Sequence, residues 1–348
     1  MSMILRLALI GFGNVGQEFS RLLLSKQEWL SERKELDVQV VAISTKTRGS
    51  LLSDKPLDLK RILRIRESGK DLAEYGPGFS DFSALEIIRK SQSDIVAELT
   101  TLDIESGQPA IDHIRTAMQA GINVVTANKG PLAYAYDELK TLATRKGVQF
   151  RFEGTIMDGT PIFSLVERTL PGCAVTGLTG TLNSTSNLIL TRMSEGKTME
   201  EALEEAKKRG ITEEDPSMDI DGWDASAKIT VLANVLMNAK SNPKNVQREG
   251  IRDIKLEEVR RAAESGKKIR LIAKAQQLNG VVKTSVRPEL IGTESPFWSV
   301  DGTSSALTLQ TDLMNEITII ESNPTIAQTA YAIFSDMLLI SEGLRAHS

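Results

Sequence analysis

The sequence predicts an α/β domain followed by an α+β domain with a mainly antiparallel sheet, and three observations carry that prediction. Short apolar runs alternate with helical patterns from Ile4 to Lys146, the signature of a parallel sheet. A glycine-rich turn, Gly11-Phe12-Gly13-Asn14-Val15-Gly16, joins the first run to the first helix. Near the other end, Leu278-Asn279-Gly280 separates two β-prone runs, a strong hairpin signal.

Taken in order, Ile4 to Ile10 reads as a strand, and Phe19, Leu22, Leu23 and Leu24 mark the helix after the glycine turn. Val38 to Ile43, Asp94 to Leu99 and Ile122 to Val125 supply further strands. Between them Thr45 to Gly78 is a polar excursion with a helical piece at Leu59 to Glu67, and Ser83 to Lys90 reads as a helix. A helix over Tyr134 to Lys146 and a strand over Val148 to Phe152 lead into the passage EGTIMDGTP. Beyond it come a helix (Phe163 to Thr169), a strand (Val175 to Leu182), a polar turn NSTSN, a helix to Met193 and a charged helix from Met199 to Arg209. Lys268 to Gln277 and Val281 to Val286 form the hairpin, and Pro324 to Ile340 is an amphipathic helix placed to return to the first domain.

Composition narrows the function. At 348 residues the chain has length for about two domains of roughly 150 residues each. With 42 Lys+Arg against 46 Asp+Glu and a net charge of −4, it lacks the basic footprint of a nucleic-acid or anionic-membrane binder, so neither partner is expected. No apolar run approaches the roughly 20 residues of a membrane span, and MSMILRLALIG lacks the parts of a signal peptide, so a cytoplasmic location is expected. One cysteine, Cys173, and two histidines leave little room for disulfides, zinc cages or histidine catalysis. The chemistry falls to Lys, Asp, Glu, Ser, Thr or a bound cofactor.

Gly11, Gly13 and Gly16 follow a strand and open a helix, the context in which this spacing binds a dinucleotide: a tight turn, room for the pyrophosphate, and close packing over a helix N-terminus. The first domain is therefore read as Rossmann-type. An acidic residue at the end of the second strand would hold the ribose hydroxyls of NAD. Asp37 stands at the wrong end, before Val38, while the correct end reads Ser44-Thr45-Lys46-Thr47-Arg48. Two cations and no carboxylate tip the choice toward the 2′-phosphate of NADP over NAD. Lys129, in Thr126-Ala127-Asn128-Lys129-Gly130-Pro131, follows a parallel strand at the edge where such sheets bind ligands, in a short rigid turn.

The most informative stretch runs from Gly210 to Lys228 and continues as AKITVLANVLMN. On a helical wheel Asp221, Asp224, Lys228, Leu232 and Val235 share a face, while Ser226, Thr230 and Asn234 form an opposite polar face expected to meet solvent. Asp224 and Lys228 thus travel with the apolar stripe. Buried charge is costly, so a lysine balanced between desolvation and carboxylates is a general acid/base candidate.

The pattern Gly-x-x-Glu-x-Asp-Pro-x-x-Asp-x-x-Gly-x-Asp-x-x-x-Lys over Gly210 to Lys228 resembles the signature of the homoserine dehydrogenases. Ala127-Asn128-Lys129, GTLNSTSNLIL, and Glu153-Gly154-Thr155 before Gly159-Thr160-Pro161 are similar to that family as well. The resemblance implies NAD(P)-dependent interconversion of L-aspartate 4-semialdehyde and L-homoserine, in threonine and methionine biosynthesis, by a homodimer. It implies Lys228 as proton donor or acceptor, Lys129 beside nicotinamide and substrate, and Glu213, Asp219 and Asp224 holding the amino acid or orienting the lysine. Thr100 and Thr101 join the turn residues as cofactor contacts, and Glu153, Ile156, Asp158 and Thr160 match a monovalent-cation loop for Na+, mostly through backbone carbonyls. The domains then fall at 1–135 for the dinucleotide, completed by 318–348, and 136–317 for substrate and dimerisation. Where relatives carry a glycine-rich loop before the last helix, this chain reads Glu321-Ser322-Asn323-Pro324-Thr325, and with the sequence ending at Ser348 direct threonine feedback through an appended module is not expected. Two other readings stand beside this one: a cysteine-dependent semialdehyde dehydrogenase, for which Cys173 has no evident partner, and a nucleotide sensor that has lost catalysis.

Overall fold

The computed structural model describes residues 2–212 and 214–346. The chain runs β1 (Met3–Ile10), α1 (Asn14–Ser25), α2 (Gln27–Lys34), β2 (Leu36–Ser44), β3 (Ser50–Leu52), α3 (Leu59–Glu67), β4 (Phe79–Ser80), α4 (Ala84–Lys90), β5 (Ile95–Glu98), α5 (Ala110–Gln119), β6 (Asn123–Thr126), α6 (Lys129–Tyr134), α7 (Tyr136–Lys146) and β7 (Phe150–Arg151). It continues with α8 (Phe163–Thr169), β8 (Val175–Thr181), α9 (Ser184–Ser194), α10 (Met199–Lys208), α11 (Ser217–Ile220), α12 (Trp223–Met237), β9 (Gln247–Arg248), α13 (Leu256–Glu264), β10 (Lys268–Leu278), β11 (Val281–Ile291), β12 (Ser305–Thr311), β13 (Glu316–Glu321) and α14 (Ile326–Ala346). Two compact units result: one of residues up to Pro131, Ala135–Ser164 and those from Thr325 on, the other of Leu132–Tyr134 and Leu165–Pro324.

This division differs from the expected break at 135/136. β7 pairs in parallel with β6, Val124 opposite Phe150 and Val125 opposite Arg151, so the segment through Ser164 stays with the first sheet. Residues 318–324 belong to the second unit because β13 pairs with β12.

In the first unit seven strands take the order β4-β3-β2-β1-β5-β6-β7. The strands from β2 to β7 run parallel, and β3 and β4 add an antiparallel edge. β1 is buried on both faces at Leu7, Ala8, Leu9 and Ile10, as expected of a central parallel strand. The order reverses between β1 and β5, so their carboxyl ends frame the crevice where such sheets bind ligands. Helix α14 packs on α1 and contributes Ile333, Phe334, Met337 and Ile340 to the core beneath it. Truncating such a side chain to Ala costs about 2–5 kcal/mol.

The second unit holds a six-stranded sheet, order β13-β12-β8-β10-β11-β9, antiparallel throughout except for the short β9. Its hairpin closes at Asn279-Gly280, whose φ values of +52° and +81° match the two-residue turn predicted for that dipeptide. α12 lies against β8, β10 and β11. It begins at Gly222, held at φ +78° where a side chain would strain the backbone, and ends at Asn238. The polar face expected to meet solvent is instead buried: Ser226 and Thr230 are 0% exposed and Asn234 6%. Their burial is tolerable because Ser226 Oγ donates to the Gly222 carbonyl at 2.8 Å and Thr230 Oγ1 to that of Ser226 at 2.7 Å. The Asn234 amide donates to the carbonyls of Ser241 and Leu132.

Candidate active site

At the switch point the glycine turn takes the form its residues require. Gly11 sits at φ +101°, and a Cβ there would meet the Leu99 carbonyl oxygen at 2.4 Å. Its N–H donates to the Ser44 carbonyl at 2.8 Å, tying the ends of β1 and β2 together. Gly13 is the N-cap of α1, provides no side-chain cap, and a Cβ there would meet nothing within 4 Å. The helix thus presents its first N–H groups beside open space, a cradle that fits a pyrophosphate. Asn14 is exposed, Val15 and Gly16 follow inside the helix, and Phe12 is buried in the core at 3% exposure, so Phe12 contributes backbone there.

At the end of β2, Ser44 is buried and its Oγ accepts from Ser50 Oγ at 3.0 Å. Lys46 is exposed. Arg48 pairs with Asp71 at 2.8 Å and donates to the Gly69 carbonyl at 3.0 Å. Asp37 stands at the opposite end of β2, level with Ile4.

A polar cluster lies at the ends of β5 and β6. Glu98 is 0% exposed and its Oε1 is 3.3 Å from His113 Nδ1 on α5. The same oxygen accepts the Thr100 hydroxyl and, at 3.3 Å, the Thr100 N–H. Thr126 Oγ1 donates to the Glu98 carbonyl at 2.9 Å. Asn128 Nδ2 donates to the Thr100 carbonyl at 3.1 Å, and its Oδ1 caps α6 by accepting from Gly130 N at 3.0 Å. Lys129 is therefore the first residue of a capped helix, half-buried, where a rigid turn was expected. Thr100 is half-buried and Thr101 exposed. Nothing in the run DIVAEL signals that its carboxylate is buried and shared.

In the second unit the Gly210 to Lys228 motif closes into a network. Lys228 Nζ lies 3.0 Å from Asp224 Oδ2 and donates to the Leu182 carbonyl at 2.7 Å, with the two side chains 14% and 16% exposed. Asn183 Nδ2 donates to Asp224 Oδ2 at 3.0 Å and to Asp219 Oδ1 at 2.7 Å. Asp219 Oδ2 accepts from Thr212 Oγ1 at 2.9 Å. Asp221 does not join them. Placed before the positive-φ Gly222, it takes a two-point grip from Arg252 at 2.7 and 2.9 Å, which holds its carboxyl below the usual range. Glu213 falls outside the described residues. Asn183, Thr212 and the Leu182 carbonyl are the members of this network that received no role from the sequence; an Asn between a strand and a helix was the signal for Asn183.

The loop from Glu153 to Thr160 is shaped by backbone strain and capping. Met157, Asp158 and Gly159 have successive φ values of +44°, +45° and +98°. Glu153 is buried, and its carboxylate accepts the N–H groups of Ile162, Phe163 and Ser164 at 2.6, 2.8 and 2.9 Å. That carboxylate caps α8, which favours negative charge at its start. Among the described residues no group of three or more His, Cys, Asp or Glu side chains is arranged to hold a metal. No helix among them is long and apolar enough to cross a membrane.

Comparison with known proteins covers both units. A family profile described as homoserine dehydrogenase, NAD binding domain, matches residues 11–153, and one described as homoserine dehydrogenase matches 161–338. The homoserine dehydrogenase of Methanocaldococcus jannaschii is 36% identical over 95% of this chain and 97% of its own. The NAD(+)-dependent homoserine dehydrogenase of Pseudomonas canavaninivorans is 32% identical over 97% and 96%. Among solved structures, a putative homoserine dehydrogenase from Archaeoglobus fulgidus superposes with a TM-score of 0.85 at 32% identity, covering 97% of this chain and 99% of that one. A hyperthermophilic archaeal homoserine dehydrogenase in complex with NADPH gives 0.83 at 30%, covering 98% of each. With likeness of this depth running through the glycine cradle and the lysine–carboxylate motif alike, the chain belongs to the homoserine dehydrogenase family and is an NAD(P)-dependent oxidoreductase.

Proposed function

We propose that Lys228 moves the proton as this chain interconverts L-aspartate 4-semialdehyde and L-homoserine. A bound nicotinamide supplies or accepts the hydride. In the reducing direction the Lys228 ammonium stabilises the negative charge that develops on the aldehyde oxygen and then donates a proton to it; in the oxidising direction the free amine takes the hydroxyl proton. Asp224 orients that lysine. Asp219 and Glu213 receive the substrate ammonium, and Lys129 assists cofactor and substrate binding as a compact charge at a helix start. The desolvated Asp224–Lys228 pair at 3.0 Å is the observation that supports this reading.

The pyrophosphate rests on Gly11 to Gly16, with Thr100 and Thr101 along the cofactor and Ser44 at the ribose. Lys46 and Arg48 hold the 2′-phosphate, which makes NADP the preferred cofactor; the exposed Arg48–Asp71 pair is the weak kind that yields to a phosphate. The carbonyls of the loop holding Glu153, Ile156, Asp158 and Thr160 take a monovalent cation such as Na+, a reading supported by its strained turn. A homodimer forms through the second unit, where Leu278, Val281, Leu290, Leu313, Met314 and Ile320 are exposed. The setting is cytoplasmic threonine and methionine biosynthesis.

The test is turnover: oxidation of NADPH and NADH with aspartate semialdehyde, and the reverse with homoserine. Turnover is expected in both directions. Cofactor binding without turnover would instead support a sensor.

A further inference from the structure

We infer that Asn183 is a positioning residue for the Lys228 proton transfer, an inference that rests on the role proposed above for Lys228. Asn183 is 4% exposed, and its amide serves two elements at once. The Nδ2 hydrogens go to Asp219 at 2.7 Å and Asp224 at 3.0 Å, while Oδ1 accepts Ser186 N at 2.7 Å as the N-cap of α9. The amide's orientation is fixed by these partners, since turning it over would set a carbonyl oxygen against two carboxylates and an N–H against an N–H. A single neutral group therefore stands between two carboxylates of the same sign and holds both. Asp224 Oδ2, the oxygen it holds, is the one that meets Lys228. The neighbouring Leu182 carbonyl accepts from the lysine at 2.7 Å. The link between β8 and α9 thus delivers, in two consecutive residues, a grip on the lysine and a grip on its counter-ion. A buried donor lost from this arrangement leaves the Asp224 carboxylate short of a hydrogen bond and loosens the hold on the oxygen that meets Nζ.

The two duties of Asn183 can be separated. Asn183→Ser keeps an N-cap oxygen but loses the paired donors, and Asn183→Asp keeps shape and cap while placing a third carboxylate in the cluster. Both variants are measured in the full chain, for kcat, KM for each substrate, and thermal midpoint, beside Lys228→Ala, Asp224→Asn and the double variant Asn183→Ser/Asp224→Asn. We expect Asn183→Ser to lower kcat by about 10- to 100-fold with an unchanged cofactor KM, as a displaced catalytic group does. Asn183→Asp falls further, and the double variant is no worse than Asp224→Asn alone, because the carboxylate through which Asn183 acts is already neutral. Wild-type kcat in a folded Asn183→Ser, with Lys228→Ala inactive, overturns the inference alone and leaves Asn183 as a helix cap. An active Lys228→Ala overturns the reading of the lysine beneath it. Should Asn183→Ser melt below the assay temperature, Asn183→Asp decides: retained kcat overturns the inference, and lost kcat with a folded chain supports it.

Discussion

Two charge networks within the second unit use the same side-chain chemistry toward opposite ends. On α9 and α10, Glu205 gathers Arg192 at 2.9 Å, Lys197 at 2.7 Å and Arg209 at 3.3 Å. Three cations on one carboxylate, led by the Lys197 and Arg192 hydrogen bonds, hold its pKa down at about 2. At that value the group never exchanges a proton under ordinary conditions, and it acts as a surface staple between helices. Among the described contacts, Lys228 meets the Asp224 carboxylate and the neutral Leu182 carbonyl, and the Asn183 amide braces Asp224. Several opposite charges on one group fix its protonation state, whereas contacts to neutral dipoles fix a position without adding charge. Proton transfer needs the second arrangement.

The largest expected effect removes the lysine. Lys228→Ala should lower kcat by about 100-fold or more, the usual worth of a positioned acid/base, with little change in cofactor affinity. Lys129→Ala, by contrast, should impair both turnover and binding. A Lys228→Ala chain that stays active but melts at markedly lower temperature would make Asp224–Lys228 a staple like Glu205, and the contrast drawn above would collapse.

Next in size is the charge of the counter-ion. Asp224→Asn keeps shape and removes the negative charge that favours the ammonium, so the Lys228 pKa falls. Oxidation of homoserine needs the free amine and reduction of the aldehyde needs the ammonium, so a lowered pKa moves both limbs the same way. The kcat/KM profile should shift by about 1 unit toward lower pH, measured in either direction. An unshifted profile would mean that Asp224 does not set the lysine's charge.

A smaller effect concerns charges that are exposed to begin with. Arg48 and Asp71 are 42% and 56% exposed, and such pairs contribute little. Replacing Lys46 and Arg48 by Ala should leave stability nearly unchanged but weaken NADP by on the order of 1.5–3 kcal/mol, the worth of lost bonds to a charged phosphate, and weaken NAD much less. Equal losses measured by fluorescence titration would remove the NADP assignment.

Much of this was legible because some residues announce their backbone role. The strand, glycine turn and helix at β1 and α1 follow from an apolar run ending at Gly11, and the hairpin follows from Asn279-Gly280. The spacing of Asp224 and Lys228 alone puts the pair on one helical face. What stayed hidden depends on partners distant in sequence. Ser226, Thr230 and Asn234 looked like a solvated face, yet bonds to the preceding turn and to Ser241 let them be buried. Asp221 has the right spacing to join Asp224, but Gly222 turns the chain and Arg252, far along in sequence, claims the carboxylate. Nothing local shows that the Glu153 carboxylate caps the following helix, since its three amide donors lie 9 to 11 residues on. Local pattern reveals periodicity and turns; it does not reveal which distant donor a carboxylate will meet.

The smallest effect belongs to the staple itself. Glu205→Gln keeps the size of the side chain and removes its charge, so it should lower the thermal midpoint slightly and leave kcat untouched. The sign of the pH dependence follows from the lowered pKa. A carboxyl whose folded-state pKa is about 2, against an ordinary 4.5, contributes its stabilisation fully above pH 4.5 and loses it as pH falls toward 2. The gap in thermal midpoint between wild type and Glu205→Gln should therefore be constant near neutrality and narrow steadily below pH 4.5. Salt should narrow it too, because at about 1 M the screening length drops to roughly 3 Å and surface charges cease to feel each other beyond contact. Asp224→Asn should behave otherwise under salt, since a pair withdrawn from solvent is screened much less. Equal salt sensitivity in the two variants, read as the change in midpoint from low to high ionic strength, would show that the two networks lie in the same dielectric and that burial does not separate the staple from the site.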